Sequence, residues 1–156
     1  MAKFKTSEEA YAECNAKGEI KMQEALSKER VETMALISRV FEQTAQDLMI
    51  GLDRKSLKWS IVYTLHYDAI RELAEIIVLF DGRKIANHRC LFAYLCKIHP
   101  ELEPDCNFFE KIRTKRNGLD YYGTFITYED WKEVEVQAKL WIKVLRKAVE
   151  ENIRNI

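Results

Sequence analysis

SLKWSIVYTLHYDAIRELAEIIVLF, residues 56–80, is the stretch that decides the fold. Trp59, Ile61, Val62, Leu65, Ala69, Ile70, Leu73, Ile76, Ile77 and Phe80 recur at helical spacing and cover a wide arc of the helix. A helix this apolar must be enclosed by others. Ser56 caps its start and Asp81-Gly82 ends it. Upstream, Val31, Met34, Ser38, Phe41, Ala45, Leu48 and Leu52 form a narrower stripe that stops at Gly51 and Asp53. Downstream, Asn87 caps HRCLFAYLCKI, which His99-Pro100 breaks, and Asp105 or Asn107 starts CNFFEKIRTKRNGLDYY. Thr127 and Asp130 form a capping box for a last helix carrying Trp131, Val134, Ala138, Trp141, Ile142, Leu145 and Val149.

Short connections make successive helices antiparallel neighbours. The expected fold is therefore all-α: an up-and-down four-helix bundle over residues 28–156, with a short extra helix and an N-terminal helical arm. The arm occupies residues 1–27. Thr6 and Glu9 make a capping box for a helix through about Asn15, and KGEIKMQEALSK (residues 17–28) reads as a polar hinge.

Composition narrows the field. The chain has 156 residues, a length that suits one domain. With only 5 Gly and 2 Pro, it lacks the turns of a sandwich and the glycine-rich loops of a doubly wound sheet. Its 25 basic and 25 acidic residues cancel, which excludes holding nucleic acid by overall charge but leaves a local basic patch open. The N-terminal MAKFKTSEEAYAE has no apolar signal core, and no apolar run reaches the roughly 18 residues a membrane span needs. Cys14, Cys90, Cys96 and Cys106 form no CxxC pair and no compact disulfide framework. The plain expectation is a soluble cytoplasmic protein with free thiols and no membrane association.

The segment richest in chemistry is KIRTKRNGLDYYG, residues 111–123. Lys111, Arg113, Lys115 and Arg116 crowd basic charge into one and a half turns, and Asn117, Asp120 and Tyr121 follow closely. Gly118 in a helix interior costs about 1 kcal/mol relative to Ala. Read locally, Arg116 and Asp120 are an i,i+4 ion pair on a solvated face.

RNGLDYYG after an apolar helix resembles the Arg-Asn-x-x-x-His-x-Tyr signature of HEPN domains (higher eukaryotes and prokaryotes nucleotide-binding). YTLHYDAIRELAEIIVLFDGRKIANH resembles that family's second main helix and the turn after it. The resemblance spans roughly residues 28–150. It implies a helical bundle, commonly a homodimer, with the motif facing a cleft between protomers. Many members are metal-independent RNases, often toxins paired with a nucleotidyltransferase-type antitoxin. By position, Arg116 is the phosphate-holding arginine, Asn117 the polar residue after it, and the histidine position falls on Tyr121. The tyrosine position after it is displaced to Tyr122 or lost at Gly123. A tyrosine with an ordinary pKa near 10 is protonated at neutral pH and is a poor general base. The resemblance therefore implies a module that binds RNA, a nucleotide or a protein partner without strong catalysis. Its ligand surface is Arg113, Lys115, Arg116, Asn117, Asp120 and Tyr122. The alternative is a toxin-type RNase with Arg116, Tyr121 and His66 as catalytic residues.

The histidines are weighed separately. His66 lies in the widest apolar helix, where packing is its plain role; the sharper reading has it, with Asp68 or Glu72, face the motif helix and accept a proton. His88 reads as a solvated or capping residue beside Asn87. His99 follows Cys96 by three, but no second ligand pair accompanies it, so no metal is expected. Glu72 and Glu75 lack the Glu-x-x-His partners of a di-iron bundle. No phosphate-binding glycine loop, dinucleotide turn or nucleophile elbow occurs, and no cofactor is expected.

Overall fold

The computed structural model describes residues 6–23, 25–121 and 123–156, with the side chains of residues 120 and 121 outside that set. The described chain is mostly helical. Its six α-helices are α1 (Ser7–Ala16), α2 (Lys28–Met49), α3 (Trp59–Phe80), α4 (His88–Ile98), α5 (Cys106–Tyr121) and α6 (Tyr128–Arg154). A 3-10 turn, Pro100–Leu102, follows α4.

Side-chain caps set most of the starts. Thr6, Ser27 and Asn87 accept from the backbone N–H three residues on, at 3.1 to 3.2 Å. Asp105 Oδ1 does the same for Phe108 N at 3.0 Å, opening α5. Thr127 and Asp130 complete a reciprocal capping box at the head of α6. The α3 start differs: Ser56 Oγ accepts from Lys58 N, and a turn intervenes before the helix begins at Trp59.

Helix α3 is the centre of the molecule and packs against α2, α4, α5 and α6. Val62, Ala69, Ile70, Leu73, Ala74 and Ile76 are fully buried along it. Its apolar face is not complete, because Ile61 is 51% exposed. On α6 the seven residues expected from spacing are its buried residues. Arg146 of α6 reaches α2, donating to Glu42 at 2.6 Å and to the buried Ser38 hydroxyl at 3.4 Å.

Two features exceed the expected bundle. Lys21–Met22 (β1) pairs antiparallel with Arg83–Lys84 (β2), Lys21 opposite Lys84, so the polar connection after α1 is tied to the turn after α3. Helix α1 packs on α4, and Cys14 of α1 is bonded to Cys90 of α4. A second disulfide joins Cys96 of α4 to Cys106 of α5. The expected free thiols are thus corrected: all four cysteines are paired. Partners 76 residues apart in sequence meet only because α1 folds back onto α4. Disulfides are rare in reducing compartments, so this pairing sits oddly with the expected cytoplasmic location. Among the described residues, no helix is long and apolar enough to cross a membrane.

Candidate functional site

The motif helix α5 approaches α3 and the first turn of α4. Three arginine charges, Arg71 of α3 with Arg113 and Arg116 of α5, act on His88, the first residue of α4. The Tyr67 hydroxyl shares a 3.0 Å hydrogen bond with His88 Nδ1. Burial, then the charges of Arg71, Arg116 and Arg113, push the His88 pKa down to about 4, so the ring is neutral at pH 7. Burial pushes the Tyr67 phenol up, against the pull of Arg113, Arg71 and Arg116.

Arg71 organises the α3 side. It meets Glu75 at 2.9 Å, Glu72 at 3.5 Å and Asp68 at 3.8 Å. These residues share a helix face by i,i+3 and i,i+4 spacing. Burial lowers the Arg71 pKa, but Glu75, Asp68 and Glu72 outweigh it and raise it. Burial raises the Asp68 carboxyl, opposed by Arg71 and Arg116. Glu72 is raised by burial and by its neighbour Glu75.

The basic run on α5 is largely neutralised within the fold. Arg113 forks onto Glu110, with Nε at 3.1 Å and Nη2 at 2.5 Å. Lys111 reaches Glu133 at 2.5 Å and Lys115 reaches Asp130 at 3.3 Å, both on α6. Arg116 and Asn117 are half-buried. The side chains of Asp120 and Tyr121, and Tyr122 altogether, lie outside the described residues.

Gly118 has a steric reason. A Cβ there would stand 3.1 Å from Thr124 Oγ1, and that hydroxyl donates to Gly118 O at 3.2 Å. The glycine lets the chain after α5 fold back over the helix. Ser60 of α3 then holds that loop, accepting from Ile126 N at 2.9 Å and donating to Ile126 O at 3.3 Å.

His66 is elsewhere. It is 1% exposed, its ring centroid 4.1 Å from that of Trp131 on α6, and its Nδ1–H donates to Val62 O at 2.7 Å. The charges that reach it come from Glu42, Lys139 and Glu135, and burial lowers its pKa. Among the described residues its Nε2 has no hydrogen-bond partner. Of the two carboxylates considered beside it, Asp68 is the one on which Arg116 acts.

The histidine at the motif is His88, whose place beside Asn87 marks it in the sequence as a solvated or capping residue. The only signal was the polar i,i+3 and i,i+4 set Asp68, Arg71, Glu72 and Glu75 on an otherwise apolar helix, marking the face that must meet polar neighbours. Compared with protein-family models, curated proteins and solved structures, the chain matches none.

Proposed function

We propose that this chain is a HEPN-like helical module, with a four-helix up-and-down core, that binds a phosphate-bearing ligand, RNA or nucleotide, through the Arg116 surface. One observation carries the reading: α3 and α5 set the charges of Arg71, Arg113 and Arg116 within electrostatic reach of His88, which shares a hydrogen bond with Tyr67. Arginine's planar fork suits a phosphate, and half-burial strengthens the interaction relative to open water. Exposed pairs such as Lys111–Glu133 and Lys115–Asp130 are worth at most about 1 kcal/mol, so an arriving polyanion exchanges for those carboxylates at little cost. The resemblance adds a homodimer with the two Arg116 surfaces near each other, and a nucleotidyltransferase-type protein partner.

Fluorescence anisotropy with a labelled single-stranded RNA and with a labelled nucleotide tests the reading. Binding should be salt-sensitive and fall at least about tenfold in Arg116→Ala, the loss of about 1.4 kcal/mol or more. Equal binding by wild type and Arg116→Ala, or none by wild type, refutes it. Light scattering should give twice the 18.4 kDa chain mass.

A second reading, metal-independent RNA cleavage, is favoured by the neutral His88 beside the three arginines. That ring is unprotonated at pH 7 and can take a proton, and its pKa near 4 makes it a weak base. Cleavage in the presence of a chelator, lost in both Arg116→Ala and His88→Ala, would establish it. RNA binding with no cleavage leaves the first reading standing.

A further inference from the structure

The two disulfides differ in what solvent can reach. Cys14 and Cys90 are 2% and 4% exposed, sealed between α1 and α4. Cys96 and Cys106 are half-buried and line an open groove of about 810 Å³ between α1, α4 and α5. Ala10, Phe92 and Ala93 give the groove an apolar wall, and its charged residues are Arg89, Lys111 and Arg113 against one carboxylate, Glu110. That volume lies in the range of small-molecule sites. Two of the cations are held by partly exposed pairs, Arg89 to Glu13 at 3.2 Å and Lys111 to Glu133 at 2.5 Å, which an incoming anion displaces cheaply.

The two sulfurs of the open disulfide are electrostatically unequal. Cys106 is the first residue of α5, where the helix dipole stabilises a thiolate and the capping Asp105 carboxylate works against it. Cys96 lies in the last turn of α4, where the dipole has the opposite sign. The sulfur that forms the more stable thiolate leaves faster in exchange.

We propose that Cys96–Cys106 is a thiol–disulfide exchange site for a small anionic thiol, attacked at Cys96 with Cys106 as the leaving group. The incoming thiolate forms a bond to Cys96 Sγ, the Cys96–Cys106 bond breaks, and its electron pair departs on Cys106 Sγ. The proton of the entering thiol goes to water. One disulfide replaces another, so no external oxidant or reductant is consumed. The groove cations recruit the anionic thiol, and the buried Cys14–Cys90 bond stays intact.

Reduced glutathione is the probe, applied to the folded wild-type protein, followed by acid quench, alkylation and peptide mapping by mass spectrometry. The expected first product carries glutathione on Cys96 and the alkyl group on Cys106. Glutathione on Cys106, earlier opening of Cys14–Cys90, or no adduct at any cysteine overturns the proposal. Glutathione diethyl ester, which keeps the thiol and loses both carboxylate charges, should react at least about threefold more slowly at low salt. The gap should narrow in Lys111→Ala and Arg89→Ala. Equal rates for the two thiols would overturn the recruitment by charge.

Discussion

His99 links α3 to the turn after α4, and its protonation should be readable in stability. Its Nε2 lies 2.5 Å from Asp81 Oδ2 and its Nδ1 2.6 Å from Glu101 Oε1, and its side chain is 16% exposed. Asp81 also accepts from the Tyr94 hydroxyl at 3.0 Å. The hydrogen bond to Asp81, against an opposing desolvation and with help from Glu101, raises the His99 pKa to about 9 from 6.5. A folded pKa above the unfolded one means that the native state holds the proton more tightly. The stabilisation is complete below pH 6.5 and disappears as pH rises through about 9. At 1.36 kcal/mol per pKa unit, the interval corresponds to about 3 kcal/mol. Urea denaturation of wild type and His99→Gln at pH 5.5 and 9.5 measures it. The wild type should exceed the variant by about 3 kcal/mol at the lower pH and by well under 1 kcal/mol at the higher. Titrating groups far from His99 cancel in the difference between the two proteins, and Glu101, which His99 helps hold below its usual carboxylate range, belongs to the same linkage. Parallel pH dependences in wild type and variant would refute the linkage, whatever their absolute stabilities.

Three further outcomes concern the fold. Leu73→Ala removes a fully buried side chain from the central helix and should cost about 2–5 kcal/mol in the same denaturation assay, with a midpoint near wild type counting against its burial. Thr127→Ala dissolves the capping box of α6 and should cost about 0.5–2 kcal/mol, seen as a lower melting temperature with native helicity retained by circular dichroism. Replacing Cys14 and Cys90 together by Ser opens a loop of 76 residues, worth about 4.5 kcal/mol by chain entropy. Replacing Cys96 and Cys106 opens one of 10 and should cost less, about 3 kcal/mol. The reverse order in calorimetry would show that chain entropy does not rank the two bonds.

The local grammar of this protein is written in its sequence. Asn87 before HRCLFAYLCKI sets α4 at His88–Ile98, and the Thr127–Asp130 pair starts α6, because a cap needs only residues three apart to touch. The spacing of Trp131, Val134, Ala138, Trp141, Ile142, Leu145 and Val149 defines the buried face of α6, because helical periodicity is itself a local property. What remained undetermined were the meetings between distant segments. Nothing in residues 6–16 says that Cys14 faces Cys90, and nothing in residues 87–90 says that His88, the residue after the cap, meets Tyr67 and the charges of three arginines. Gly118 reads locally as a motif residue with a helix penalty, and only the fold sets the Thr124 hydroxyl against it. Secondary structure here follows from contacts a few residues long, which the sequence states directly. The disulfides, the neutral His88 and the burial of His66 against Trp131 depend on how α1, α3, α4, α5 and α6 pack, and packing is decided by the whole chain at once.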